Sequence, residues 1–464
     1  MKEVSSKIVG TPKEAAKTLL FNLLIDSEII CIKAMTKHDQ FLTLDEDISD
    51  NLLSYINELQ SLNVKHLELQ GMIIKNEVVP KIIALCPDLK SLKINGENVE
   101  DVLDALQTHC PKLQSLSLDG CWVRDADVVR ALLKTAEDFA TIGEALCNGE
   151  EIKQEAQFPS LTHLEIFSPL VSMCGATVLL NALKNLKHMS YSYWSTAVGD
   201  ALLFLKQIYT PKTLVSISSL SIFRVTLDKL TSVVETCPKL KHLMLECVDS
   251  SVTSLSQLSS LKELSSLNLR LLPKNLIISA LEAVGSNLTS LEIDNEQYSY
   301  KHLPWDAIEA IHIYCPNIQK IVFSNIELKN RDYIHSLINY PLNNLTSIII
   351  KDSLATPFCI EKLIQKKFSL KSINLNINRD AVNDQLFNNL FKCNEFKVLN
   401  QISLAASSLT SNGIHQILSL PNLSNVAIDF SYFSNSLVDE LAQLQESLKT
   451  GNFLCSLHNS NISK

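Results

Sequence analysis

The chain contains many short stretches in which leucine or isoleucine alternates with polar residues, as in LKSLKI from Leu89 and LQSLSL from Leu113. A period of two sends the apolar side chains to one side of a short strand and the polar ones to the other. Between these stretches the period changes. DADVVRALLKTAEDF from Asp125 and LDKLTSVVE from Leu227 space their apolar residues as a helix with one buried face does. The pattern predicts strand, helix, strand, over and over.

The repetition has a register. Its first apolar position falls at Val64, Leu89, Leu113, Leu161, Leu186, Ile217, Leu240, Leu264, Leu288, Ile318, Leu345, Leu370, Leu399 and Leu423. Most steps are 23 to 25 residues, with longer ones of 27 to 31, and the jump from Leu113 to Leu161 is two periods and leaves room for a degenerate turn. Several copies open on Cys-Pro: CPDLKSLKI from Cys86, CPKLQSLSL from Cys110 and CPKLKHLML from Cys237, with looser copies from Phe158, Gly285 and Cys315. A period of roughly 20 to 29 residues with this wording resembles the leucine-rich repeat. One such turn cannot bury its leucines alone, but stacked turns can. The resemblance implies an α/β leucine-rich-repeat solenoid, a horseshoe with a concave parallel sheet and convex helices. The register gives about 14 to 15 turns.

With 464 residues, 46% of them hydrophobic, the chain is long enough for a large core, and the repeat overrides the several domains that length alone suggests. A net charge of -9, with six arginines and no long basic run, offers no footprint for nucleic acid. No stretch approaches the ~18 apolar residues of a membrane span, and the opening MKEVSSKIVGTPKEAAK lacks the early apolar core of a secretory signal. Of the 12 cysteines, Cys86, Cys110, Cys237 and Cys315 share one slot, three residues before the register position. That placement reads as buried free thiols in a cytoplasmic or nuclear protein. A metal site would need three or four converging ligands, and equivalent slots on adjacent turns bring together only Cys86 and Cys110. Asn287-Leu-Thr and Asn344-Leu-Thr match the glycosylation acceptor, yet each Leu is a register position, so both read as chance matches.

The turn CPKLQSLSLDGCWVRDADVVRAL, from Cys110 to Leu132, resembles the cysteine-containing subclass of leucine-rich repeats, with Cys121 and Asp125 at its Cys and Asp places. Asp125 is placed to cap the helix that follows. The subclass is known from F-box proteins, which bind Skp1 through an amino-terminal helical box and present substrates to a cullin-based, SCF-type ubiquitin ligase. PKEAAKTLLFNLLIDSEIICIKAM, from Pro12 to Met35, is similar to such a box in outline, and the resemblance implies Skp1-type contacts at Leu19, Leu20, Leu23 and Ile29. It lacks the family's closing Trp, and FLTLDEDIS from Phe41 reads as the strand and turn of a first repeat. The other reading of this segment is a helical cap on the open end of the stack. The expected division is 1–38 as cap or F-box-like segment, 39–435 as solenoid and 436–464 as a carboxy-terminal cap.

The polar positions of each strand would line the concave face. Those expected to bind a protein partner are His66, Glu68, His163, Glu165, Phe167, His188, Phe223, His242, Met244 and Glu246. Aromatics and Met supply anchor area while charges set register, which favours Leu161 to Glu246; the alternative is that Phe167 and Phe223 fold back against neighbouring turns. The His-x-Glu pairs offer two ligands each, too few for a metal. Leu133–Gln157, with eight charged residues, six of them acidic, is irregular and could be a long helix, a degenerate turn or a protruding loop. Asn295–Trp305 and Tyr191–Tyr209 are lengthened and rich in aromatics. No phosphate loop, His-Glu-x-x-His or Gly-x-Ser-x-Gly occurs. The expectation is therefore a protein-recognition module, not an enzyme, without cofactor or metal. It would serve as a ubiquitin-ligase substrate adaptor or, alternatively, as a scaffold or regulator (enzyme inhibitor, activator or host-directed effector) without ligase coupling.

Overall fold

A computed structural model describes residues 29–33, 42–43, 64–70, 72–73, 78–95, 99–119, 123–133, 139–148, 156–167, 172–191, 196–208, 216–246, 248–295, 301–302, 305–328, 342–405, 408–429 and 454–458. They fall into two compact units. One comprises residues 1–223 with 227–240, the other 224–226 with 241–464. Each is an α/β leucine-rich-repeat solenoid of parallel strands alternating with helices.

Every one of the fourteen register positions is followed, two residues on, by a strand, from His66–Gln70 after Val64 to Asn425–Asp429 after Leu423. In the amino-terminal unit Leu67 faces Leu92, Leu92 faces Leu116, Leu116 faces Leu164 and Leu164 faces Met189 across successive parallel pairs. The carboxy-terminal unit repeats this from Leu243 through Leu267 and Leu291 to Ile321. All of these residues are buried. Each inward leucine is worth about 1.5–3 kcal/mol, and a slip of one residue would turn the whole row to solvent, so the register is strongly specified.

The cysteine slot lies under this row. Cys86, Cys110, Cys237 and Cys315 are buried free thiols. Burial pushes Cys86 up to about 11 and the other three up to about 12, which leaves them protonated and unreactive. In the turn that begins at Leu370 the same slot holds Lys367, only 4% exposed.

Asp125 does not cap its own helix. The cap residue of Asp125–Leu132 is Arg124, without a side-chain bond, and Asp125 is the first helical residue. Its carboxylate reaches forward, accepting from the Ser172 N–H (2.9 Å) and the Ser172 hydroxyl at the start of the helix of the following turn, Met173–Ala182. Asp384 does the same for Thr410 (N–H to Oδ1, 2.9 Å). Three residues after each of these caps stands a glycine, because a Cβ at Gly175 would lie 2.0 Å from Asp125 Oδ1 and one at Gly413 2.2 Å from Asp384 Oδ1. Gly413→Ala should therefore evict the Asp384 carboxylate and cost about 1–2 kcal/mol. In Asp384→Ala, where the bond is already lost, adding Gly413→Ala should cost much less, a non-additivity that chemical denaturation of the four variants will read.

One open choice is resolved and two expectations are corrected. The segment Leu133–Gln157 hides no turn, since Ser115–Asp119 pairs directly with His163–Phe167. It is an excursion that leaves at Leu133, contains the helix Phe139–Cys147 and returns at Ala156, which bridges Leu133. At the amino terminus Ile29–Lys33, expected inside a helical cap or box, is a strand paired with His66–Gln70, as its β-branched run favours. Among the described residues the first strand of the stack is thus IICIK, and Leu42–Thr43 forms a short side pairing with Met72–Ile73. At the other end Leu454–His458, expected in a cap, pairs with Asn425–Asp429 as a further strand. The long segment Tyr191–Tyr209 is largely the helix Ala197–Ile208. Leu19, Leu20, Leu23, Cys121, Tyr298 and Tyr300 lie outside the described residues.

Candidate functional site

The open sheet face of the amino-terminal unit carries a connected set of hydrogen-bonded polar side chains. Strand pairing sets His66, Ser91, Ser115, His163, His188 and Ser219 side by side at the first strand position, and Glu68, Lys93, Ser117, Glu165 and Ser190 at the third. Glu165 is the hub. Its Oε2 accepts from the Ser117 hydroxyl (2.9 Å), and its Oε1 lies 3.1 Å from His188 Nε2. The other ring nitrogen of His188, Nδ1, is 2.7 Å from Ser219 Oγ. His163 stacks on His188 with ring centroids 5.7 Å apart, and its Nδ1 is 2.8 Å from Thr162 Oγ1. Glu68 and Lys93 form an ion pair at 3.6 Å.

The titrations follow from this geometry. The hydrogen bond from His188, helped by that from Ser117, holds the Glu165 carboxyl below the usual range, against the opposing effect of burial. Burial, then the neighbouring His188, lowers His163, with Glu165 pulling the other way. Glu165 therefore stays ionised through the histidine range and His163 stays neutral at pH 7.

The chain Ser219–His188–Glu165 has the connectivity that activates a serine nucleophile. Its backbone surroundings differ from those of a hydrolase. The N–H groups of Ser218 and Ser219 both donate to Lys187 O (2.8 and 3.0 Å), so neither is free to hold an oxyanion. Among the described residues no three His, Cys, Asp or Glu side chains converge as a metal site, and no helix is long and apolar enough to cross a membrane.

The ten residues expected on the open face separate by depth. His66, His163 and His242 are exposed, and Glu68, Glu165, Phe167, His188 and Met244 half-buried. Phe223 and Glu246 are 3% and 5% exposed, which corrects their expected place on an accessible surface. Both occupy the fifth strand position, as do Arg270, Asp294 and Ser324, all buried as well. In the carboxy-terminal unit Glu246 belongs instead to an enclosed ion triad, with Arg270 3.2 Å from Glu246 and 3.3 Å from Asp294. Burial raises the Glu246 carboxyl, Arg270 opposing and Asp294 adding to the shift.

No family model matches the chain, and no curated protein matches it. Solved structures do. An internalin from Listeria monocytogenes matches at 15% identity and a TM-score of 0.39, over 90% of this chain and 96% of that one. A chain of the Rad7 and Elc1 complex of yeast matches at 15% and 0.41, over 84% of each. The leucine-rich repeat-containing protein LegL7 from Legionella pneumophila matches at 16% and 0.37, over 61% of this chain and 89% of its own. The likeness is one of fold.

Proposed function

We propose that this protein works by recognising another protein on the open sheet face of its amino-terminal unit. The observation that carries the reading is the Ser117–Glu165–His188–Ser219 network, part-exposed and already held by its own hydrogen bonds, with His163 and Phe167 on the neighbouring positions. Side chains ordered before binding lose little entropy when a partner docks, which favours recognition over mere solvation. A variant carrying His163→Ala, Phe167→Ala and His188→Ala should keep the circular dichroism of the parent and lose the proteins that co-purify with the tagged full chain. An unchanged set of co-purifying proteins would place the recognition surface elsewhere.

A finer reading makes the protein a substrate adaptor of an SCF-type ubiquitin ligase. Its support is the sequence from Pro12 to Met35, with Leu19, Leu20 and Leu23 as the Skp1-type contacts; Ile29 no longer belongs among them, because it opens a sheet strand. The sheet strand also dictates the test, since removing 1–38 would strip the edge of the stack. The full chain should recover Skp1 and a cullin, and Leu19→Asp with Leu23→Asp should lose both. Recovery of neither by the full chain would leave a recognition module without ligase coupling.

A further inference from the structure

The hydrogen bonds around His188 fix which ring nitrogen holds its hydrogen. Glu165 is ionised and can only accept, so the Nε2 that lies 3.1 Å from its Oε1 carries the hydrogen of the neutral ring. The opposite tautomer would set a lone pair of Nε2 against the carboxylate. Nδ1 is therefore the bare nitrogen, and the Ser219 hydroxyl, 2.7 Å away, donates to it. Ser219 is half-buried, and its oxygen keeps its lone pairs for whatever docks on the face. A proton taken up at Nδ1 reverses this. The imidazolium donates from both nitrogens, so Ser219 must accept from Nδ1 and turn its own hydrogen outward, while the contact of Nε2 with Glu165 is unchanged. Among the described residues the Ser219 hydroxyl has no other hydrogen-bond partner to hold it in either state.

We propose that the charge on His188 sets the hydrogen-bonding character of Ser219, so that the face presents a hydroxyl acceptor when the ring is neutral and a hydroxyl donor when it is protonated. The proposal rests on the recognition reading given above and names the regulation of that face. A partner taken up at neutral pH meets Ser219 with an N–H or O–H group, and acid releases it. Histidine is the side chain that ordinarily changes charge between about pH 5 and 8. The groups facing His188 are Glu165 and Ser219 on the flanking strands and His163, stacked on it at 5.7 Å; Lys187 acts on His163 and Lys93 on Glu165. Their own titrations leave the switch intact. Glu165 is held below the usual carboxylate range and is still ionised when histidines protonate, and the hydrogen-bonded nitrogen of His163 meets Thr162, not Ser219. A partner donor left facing a second donor loses its hydrogen bond, which corresponds to about tenfold in affinity.

The test begins with nuclear magnetic resonance of the full chain, its histidines isotope-labelled at the ring nitrogens and the His188 signals identified by their loss in His188→Gln. Near pH 8 Nε2 should carry the proton and Nδ1 none, and near pH 5.5 both should carry one. A proton on Nδ1 at the higher pH, or a ring still neutral at the lower, overturns the proposal. The second readout is the set of proteins that co-purifies with the tagged full chain near pH 7.5. Near pH 5.5 the parent should retain about a tenth of them or less. Ser219→Ala should lose most of that pH contrast, and so should His188→Gln, whose amide has a fixed donor and a fixed acceptor. Acid release as steep in Ser219→Ala as in the parent would mean that the ring charge is read and not the hydroxyl, and the proposal falls while recognition stands. Full retention by the parent near pH 5.5 has the same consequence. If the His163, Phe167 and His188 alanine variant keeps its proteins near pH 7.5, the recognition reading falls and the proposal with it.

Discussion

Replacing Arg270 with alanine should cost the carboxy-terminal unit about 3–5 kcal/mol of stability. The arginine lies between two carboxylates, Glu246 at 3.2 Å and Asp294 at 3.3 Å, and the three side chains are 7%, 6% and 11% exposed. Removing the cation leaves two enclosed acids without the guanidinium that bridges them. Asn325, whose side chain donates to Asp294 at 2.8 Å, offsets little of that. The partners should not behave alike. Glu246 is the acid whose pKa is raised, mainly by burial, so the folded state holds its proton more tightly than the unfolded chain. The stability it contributes is present below its unfolded pKa and is lost as pH rises through the folded one. Glu246→Gln leaves Arg270 and Asp294 as a balanced pair and should be neutral or stabilising at pH 7, with its advantage over the parent shrinking as pH falls into the carboxylate range. Urea denaturation across that range checks both variants. A loss below about 1 kcal/mol for Arg270→Ala would mean that water reaches the triad.

The second large effect runs the other way. Lys367 fills the slot that cysteine, leucine or phenylalanine fills in other turns, and burial pulls its amine down to about 8 from 10.5. For a base with a depressed folded pKa, the unfolded chain binds more protons between the two values, so stability rises with pH from about 8 to about 10.5 and the penalty is fully present below 8. A shift of that size corresponds to about 3 kcal/mol. Lys367→Met should recover most of it at pH 7, lose its advantage progressively above pH 8 and retain little by 10.5. Thiols of the unfolded chain also titrate in that range, but they are common to parent and variant and cancel in the difference. Identical denaturation midpoints at pH 7 would show that the amine reaches solvent along its flexible stem.

The strands were legible because one physical term dominates them. A leucine every second residue has a single way to be buried, and all fourteen strands begin two residues after their register positions. Ile29–Lys33 and Leu454–His458 carry no such mark, because the register place two residues ahead of each holds a polar residue, Ser27 or Asn452, and the two-period gap stayed open between a turn and a loop because length alone does not say which strands pair. The candidate site was legible only in part. Alternation says which face a side chain takes, not how deep it lies. It gives His163 and Phe223 the same direction, while the first is exposed and the second enclosed. Depth is set by what lies beyond the strand, and in the carboxy-terminal unit that includes a second ladder in which Lys301–His302 pairs with Ile326 and Glu327. Asp125 shows a similar limit. Its position at a helix start was plain, but that it serves the helix of the following turn depends on stacking.

The detour between Leu133 and Ala156 makes this chain open to cutting and pasting. Its two ends meet across one bridge, and the strands on either side of it, Ser115–Asp119 and His163–Phe167, are in register as though nothing intervened. A foreign module with neighbouring termini, spliced in after the exposed Asn148, would hang from the protein as a pendant, giving a place for a fluorescent reporter that leaves the sheet untouched.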